Sequence, residues 1–580
     1  TLGDWMLQAG YTTPYFGKWH VSNPPEHSLK RYGFDEWEPS YPEPHGSQPN
    51  NLGIYRDVGF TDSACAFIRR QGLALNYNRA YASMQAHDAA SSGPDVNAIP
   101  PWFAVASFTN PHDIATYPGV IAQALPVDDP QPPRTITLPS GRTITLPQPT
   151  TQPMFGPLTI PREGDVTPPP VAGTMRIALN PHGFPQDCAR PSPTQNESLA
   201  DKPSCQHDYA YKMGLALGAK AGYNIVQTLQ AGGAGLDPKD AADLAVLLGL
   251  QTCIPFQLAD HPQKGALQFL QLYAWLHAVV DAHIDAVLEA LEESGQADNT
   301  IVIFLADHGE YGAAHGLMLE KWHTAYAEAL HVPMVVNYRP LVKTWFESQG
   351  ESVPHDRPIE ARHDPLRQCD ALTSHVDILP TVLGLAGLKP DDIRAIGQKL
   401  AQTRPVPPLP GIDLAPLIRG EWAPDEVREH DGSARKGVLF ITDDEITEPL
   451  PFERNRHNVD SELEFEVYRM TVDAVRHGRH GKPGIAIAPG PVRQPNNVRC
   501  VRTKDYKLAR YFDPSGRAPQ EWEMYDLAHD PNETTTLVQV HGSPPTAKDV
   551  LPHWTNAAKV QHQADALAKL LAELETRFLF

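Results

Sequence analysis

The sequence predicts an α/β fold in which polar clusters follow the ends of apolar strands. The apolar, β-branched run at residues 300–305 stops just before a polar cluster, and the runs at 11–16 and 102–108 end in the same way. The carboxyl ends of parallel strands share one edge of an open α/β sheet. We therefore expect three clusters to meet in one crevice: Gly17-Lys18-Trp19-His20, Asn110-Pro111-His112-Asp113, and Asp307-His308-Gly309-Glu310 with His315-Gly316 and Lys321.

Composition excludes several classes of partner. The 580 residues carry 48 lysines and arginines against 69 aspartates and glutamates, a formal net charge of −21. Nucleic acid and anionic membrane surfaces are therefore excluded as partners of the whole molecule, and an anionic substrate needs a locally positive pocket. No apolar run approaches the roughly 18 to 20 residues that cross a bilayer. Cytoplasmic and periplasmic locations both stay open.

The cysteines do not form a disulfide scaffold or a C-x-x-C site. We expect them to be small buried hydrophobic residues: Cys65, Cys188, Cys205, Cys253, Cys369 and Cys500.

The first third of the chain begins with a short helix. Thr1 and Asp4 form a capping box, and Gly10 ends the helix before the strand at 11–16. An irregular stretch is expected up to the strand at 102–108. A proline-rich insertion then spans about 113–264, with a hairpin whose arms, 134–139 and 142–147, are joined by Ser140-Gly141. Long loops of this kind are typical of lids and substrate-binding insertions.

The remaining elements alternate between helices and strands. Helices are predicted at 241–250, 265–293 and 375–388, and buried strands at 300–305 and 331–336. Short β-like runs at 437–442 and 497–512 and a closing helix at 556–578 follow. We place a domain boundary near Gly420, which gives a larger domain at 1–420 and a smaller one at 421–580.

Each polar cluster by itself has an ordinary alternative. Asp307 and His308 suit a divalent cation, but the pair also fits a turn cap with a satisfied histidine. Lys18 and His20, two apart in a strand, point to the same side and suit an anionic centre, or are a solvated lysine and a core histidine. His112 and Lys321 have the same two interpretations.

The clusters in this order resemble a sulfatase of the alkaline phosphatase superfamily. The resemblance implies a large mixed, mostly parallel sheet flanked by helices, a smaller C-terminal α+β domain, and a divalent metal, usually calcium, with magnesium or manganese as alternatives. It continues through four further segments: Tyr326 to Pro333, Ser374-His375-Val376-Asp377-Ile378-Leu379-Pro380-Thr381, Pro410-Gly411-Ile412-Asp413-Leu414, and Glu523-Met524-Tyr525-Asp526-Leu527.

The resemblance also implies roles for single residues. Asp307 and His308 match two metal ligands. Lys18 and His20 match the pair that positions and polarises the nucleophile. His112 matches a histidine that contacts the substrate and acts on the leaving group, and Lys321 a lysine that binds the sulfate. Lys18, His112 and Lys321 are thus the expected substrate-binding residues.

The chain departs from the family at the nucleophile. The C/S-x-P-x-R motif, whose cysteine or serine becomes formylglycine, is absent, as are two acidic metal ligands near it. Cys253-Ile254-Pro255 continues as Phe256-Gln257, and Cys188-Ala189-Arg190-Pro191 has the wrong order. We expect that the chain lacks an N-terminal segment with the nucleophile and is inactive alone, and that the full-length protein depends on a formylglycine-generating system.

The predicted function is hydrolysis of a small sulfuric ester. Two alternatives stay open: a phosphodiester or phosphonate monoester hydrolase of the same superfamily, since the two tetrahedral anions are electrostatically alike, and a non-catalytic remnant that keeps the cleft.

Overall fold

The computed structural model of the chain describes thirteen segments. They are residues 1–22, 28–35, 37–40, 52–85, 100–116, 133–146, 160–166, 174–181, 183–251, 256–339, 368–447, 459–479 and 481–579. The Cys253-Ile254-Pro255 stretch lies outside them.

Most of the regular secondary structure in the described residues is helical. Single helical turns occur at Ala314–Leu317, Ala327–Leu330 and Ala415–Ile418. The longer helices are α1 (Leu2–Gln8), α2 (Gly53–Gln85), α3 (Ser204–Ala231), α4 (Pro238–Gln251), α5 (Pro262–Glu293), α6 (Ile378–Leu385), α7 (Pro390–Leu400), α8 (Val459–Arg476) and α9 (Ala557–Leu579). Within the described residues, no helix is both long enough and apolar enough to cross a bilayer.

The strands form five separate sheets in the described part of the chain. They are β1 (Tyr15–Lys18), β2 (Trp37–Ser40), β3 (Val105–Ser107), β4 (Arg134–Thr137), β5 (Thr143–Leu146), β6 (Glu163–Val166), β7 (Met175–Ala178), β8 (Val302–Leu305), β9 (Met334–Asn337), β10 (Val438–Thr442), β11 (Asn497–Arg502), β12 (Tyr506–Phe512) and β13 (Glu521–Asp526). A parallel sheet has the order β2-β1-β3, and an antiparallel sheet the order β10-β11-β12-β13. Antiparallel pairs join β4 to β5, β6 to β7 and β8 to β9.

Several local predictions are confirmed. The Thr1 and Asp4 capping box opens α1, and the insertion hairpin forms as β4 and β5 around the Ser140-Gly141 turn. The helix predicted at 265–293 forms within α5, and several of its apolar side chains are buried, for example Leu276, Val280 and Leu291. These features depend on residues close in sequence.

The prediction of an irregular stretch before residue 102 is wrong, because helix α2 lies there. Its apolar side chains do not fall into one stripe, so the helical period is weak in the sequence. The helix is instead stabilised by tertiary packing, for example of Phe67 and Ile68 with Phe16 of β1 and Leu291 of α5.

The burial expected for the strands at 300–305 and 331–336 is also wrong. They form β8 and β9, but Phe304 is 41% exposed and Val335 is 45% exposed. No described strand pairs with the outer edge of either, so both remain accessible to water. Two cysteines also depart from expectation: Cys188 and Cys369 are exposed, whereas Cys65, Cys205 and Cys500 are buried.

One apolar core connects the segment that follows β8 to the C-terminal sheet. Tyr311 and Tyr326 of that segment pack in the same cluster as Tyr511 and Tyr525 of β12 and β13. The opposite face of that sheet packs on α9 through an apolar cluster that includes Leu508 and Leu567. The boundary near Gly420 stays a prediction.

Candidate active site

The six predicted site residues converge at the carboxyl ends of β1, β3 and β8. The Lys18 ammonium lies 3.5 Å from an Asp307 carboxylate oxygen, and His308 Nε2 lies 3.4 Å from that same oxygen. The charges of Lys18 and Lys321 act on both His20 and His112. Residues that are up to 303 positions apart in sequence (18 to 321) therefore share one electrostatic environment.

Gly17 allows the first of these strand ends to form. Its φ is +123°, and an added Cβ would lie 1.8 Å from the Ser107 carbonyl oxygen of β3. Only glycine tolerates so close an approach with this backbone. Ser107 Oγ donates to the Lys18 carbonyl at 3.0 Å, and Trp19 is buried on the opposite side. Because side chains alternate between the two faces of a strand, the Lys18 side chain points toward the site.

His308 is oriented as a metal ligand would be. Its Nδ1 lies 2.9 Å from the Gly309 carbonyl oxygen, which can only accept, so Nδ1 carries the hydrogen and neutral Nε2 keeps a free lone pair. Nε2 and the Asp307 carboxylate face the same point. The two fit part of a divalent cation's coordination shell, and the ammonium of Lys18 lies beside the same carboxylate.

Lys321 is held by its neighbours. Its Nζ lies 2.8 Å from Glu320 Oε2 and 4.6 Å from the Trp322 ring centre. Glu320 itself has φ +65° and is fixed by its N–H, which donates to Glu310 Oε1 at 2.7 Å. Burial, reinforced by Glu320, raises the pKa of Glu310 to about 8. The lysine head group is therefore placed by the buried carboxylate of Glu320.

The local electrostatics favour an anion. Desolvation lowers the pKa of His20 to about 4, and the ammonium groups of Lys18 and Lys321 contribute to this shift. Burial and the same two ammonium groups hold the pKa of His112 well below its usual value. Burial raises the pKa of Asp307, but Lys18 and His308 outweigh it and lower the pKa overall. Without a bound anion, the lowered pKa values favour uncharged imidazoles, and the positive potential comes from the lysines.

His315, for which no role was predicted, lies in a separate network of hydrogen bonds. Its Nδ1 is 2.7 Å from Glu197 and its Nε2 is 3.1 Å from Glu328. Atoms of His315, Glu328 and Glu533 that could bind a metal lie within 4.8 Å of one another. However, Lys507 already forms an ion pair with Glu533. Ion pairing therefore accounts for this cluster, and the expected metal position remains Asp307 and His308.

A cavity of about 620 Å³ lies elsewhere, between the start of α3 and the C-terminal sheet. Its lining includes His207, Arg493 and Lys548 and none of the six predicted residues.

Two site features were missed by the sequence analysis. Asp57 of α2 and Glu320 both contact site segments. Glu320 was visible as the residue before Lys321, but nothing local marks Asp57 as a partner of the turn before His112.

Comparison with known proteins gives a consistent family. A model of the sulfatase family matches residues 1–388. An endo-4-O-sulfatase of Bacteroides thetaiotaomicron is 34% identical over 258 residues, which are 44% of this chain and 35% of that protein. An N-acetylglucosamine-6-O-sulfatase of the same bacterium is 22% identical over 271 residues, 47% of this chain and 32% of that protein. These matches span about a third of the length of either relative.

Solved structures of a sulfatase and of a phosphonate monoester hydrolase also align with the chain. A 2-O GAG sulfatase aligns with a TM-score of 0.43 and 17% identity, over 100% of this chain and 74% of that chain. A phosphonate monoester hydrolase of Agrobacterium radiobacter aligns with a TM-score of 0.32 and 20% identity, over 55% and 43%. The family model covers more than half of the chain, and by that match the chain belongs to the sulfatase family.

Proposed function

We propose that the complete protein hydrolyses a small sulfuric ester at the crevice formed by β1, β3 and β8. The observation that carries this proposal is the meeting of two ammonium groups, Lys18 and Lys321, with neutral imidazoles beside the Asp307 and His308 pair. A sulfuryl group gathers negative charge on its oxygens in the transition state, and fixed cations there lower the barrier.

Each residue has a distinct part in this proposal. Lys18 and Lys321 hold the sulfuryl oxygens and offset their charge. His112, protonated once an anionic ester offsets the charge of the two lysines, passes a proton to the departing alcohol in this proposal, and His20 assists the return of the nucleophile. A divalent cation held by Asp307 and His308 would supply Lewis-acid stabilisation. Calcium is the expected ion, and a formylglycine outside these 580 residues is the proposed nucleophile.

The substrate class is proposed from chemistry and from the relatives' names. One of the two curated relatives is named as an N-acetylglucosamine-6-O-sulfatase, and a sulfated monosaccharide is our first choice of natural substrate. Phosphate and phosphonate esters have the same tetrahedral shape, so they form the comparison set in the test.

The test begins with the gene. The coding sequence upstream of Thr1 is read, and the extended protein is produced with a formylglycine-generating system. Turnover is measured on an aryl sulfate, N-acetylglucosamine 6-sulfate, and the matching phosphate and phosphonate esters. We expect kcat/KM to be highest on a sulfate; higher kcat/KM on a phosphonate would transfer the assignment to that reaction.

Lys321→Ala tests the role proposed for this lysine. Because Lys321 is proposed to meet charge that grows in the transition state, kcat/KM should fall by about 100-fold or more. Lys504→Ala, which removes an exposed lysine whose partner is Asp425, serves as the control. Equal activity of both variants would remove Lys321 from the site.

A further inference from the structure

We propose that Asp57 of α2, together with Asp113, is the positioning residue for His112. The proposal rests on the function proposed above, because His112 acts there on the leaving group. Neither aspartate touches the site itself, and each acts through the backbone on one side of His112.

The carboxylate of Asp57 holds the residues that precede His112. Its Oδ1 accepts the N–H of Thr109 at 2.7 Å, and its Oδ2 accepts the N–H of Asn110 at 2.9 Å. Asp57 has no exposed surface. One side chain from a distant helix therefore satisfies two consecutive backbone donors just before Pro111 and His112.

Asp113, directly after His112, forms hydrogen bonds back to α2. Its two oxygens accept the N–H groups of Gly53 at 2.8 Å and Ile54 at 2.9 Å, in the first turn of the helix. Asp113 is also fully buried. An added Cβ on Gly53 would lie 2.8 Å from the Asn110 side chain, so the helix and the turn are in tight contact.

These four hydrogen bonds fix the backbone on both sides of one imidazole. A buried N–H group that loses its acceptor destabilises the fold, so the turn has little freedom to move. A misplacement of about 1 Å at a reacting group can cost roughly 100-fold in rate. The reciprocal pair supplies the rigidity that proton transfer from His112 needs.

Burial raises the pKa of Asp57 to about 8 and that of Asp113 to about 6, and the backbone N–H bonds oppose it. The positioning role needs two acceptor oxygens rather than a full charge. Asparagine keeps one acceptor and places an NH₂ against the second donor, so Asp57→Asn disturbs the turn at almost constant volume.

The first experiment measures leaving-group dependence in the complete protein. Asp57→Asn is compared with Thr61→Val, one turn along the same helix, which removes the hydrogen bonds of the Thr61 hydroxyl to His283 and to the Asp57 carbonyl but keeps the Asp57 carboxylate. On aryl sulfates whose phenols have high pKa values, kcat of Asp57→Asn should fall by about 100-fold. On good leaving groups, which need no proton, the fall should be about threefold or less. Thr61→Val should show no such trend.

An equal loss across all leaving groups, or the same trend in Thr61→Val, would overturn the proposal. If Asp57→Asn does not fold, Asp113→Asn is put through the same series, and the same criteria decide.

A second experiment does not need turnover. Histidines of the 580-residue chain are labelled with ¹³C, and the His112 signal is assigned with His112→Gln. Asp57→Asn should shift the His112 signal, and Thr61→Val should leave it in place. An inactive wild-type protein would count against the proposed function only, whereas an unmoved His112 signal in folded Asp57→Asn would refute the positioning role.

Discussion

Gly17→Ala tests whether close packing of β1 on β3 builds the site. The new Cβ would meet the Ser107 carbonyl oxygen at 1.8 Å, well inside the 3.0 Å below which such contacts essentially do not occur. The strands must separate, which disrupts the pairing of residues 15–17 with 105–107. Lost hydrogen bonds at about 1 kcal/mol each and overpacking at about 1 to 3 kcal/mol add to the backbone strain.

Gly10→Ala is the matched control. Gly10 also has a positive φ, +91°, but nothing lies within 4 Å of its added Cβ. Gly10→Ala should lower the free energy of unfolding only by the cost of the left-handed backbone conformation, about 1 to 2 kcal/mol. Unfolding in urea, followed by circular dichroism, should give a loss for Gly17→Ala at least about 3 kcal/mol larger than for the control. Losses within about 1 kcal/mol of each other would refute the role assigned to the close strand contact.

Two further predictions concern the metal pair and the buried histidine. In the complete protein, Asp307→Asn and His308→Ala should each weaken calcium binding, measured by titration calorimetry, by about tenfold or more; unchanged affinity would place the metal elsewhere. Although burial opposes it, the bonds to Glu197 and Glu328 raise the pKa of His315. Its stabilising contribution is therefore complete below about pH 6.5, the unperturbed value, and is lost as pH rises through the raised folded pKa. His315→Gln should flatten this part of the stability curve in urea unfolding at several pH values; an unchanged curve would show that the imidazole does not titrate there.

Local chemistry made part of the fold predictable. The Thr1 and Asp4 box and the Ser140-Gly141 hairpin need only residues a few positions apart. The convergence of Lys18 and His112 followed from a rule of sheet geometry, since both come at or after the end of a strand of one parallel sheet. Asp307 follows β8, which pairs antiparallel with β9 in a separate sheet of the described residues, so the rule does not explain its position.

Long-range packing made the rest inaccessible to the sequence. Helix α2 shows no apolar stripe and exists through its contacts with β1 and α5. Asp57 lies 52 residues from Thr109, and Glu197 lies 118 residues from His315. No periodicity marks such pairs, because hydrogen bonds between distant segments depend on the finished fold.

The most direct measurement is a crystal structure of the 580-residue chain soaked with tungstate, an electron-dense mimic of sulfate. We predict one strong anomalous peak within hydrogen-bond distance of Lys18 and Lys321, with His20 and His112 against the same anion. Tungstate bound only at other surface lysines or arginines, with no peak at this crevice, would contradict it.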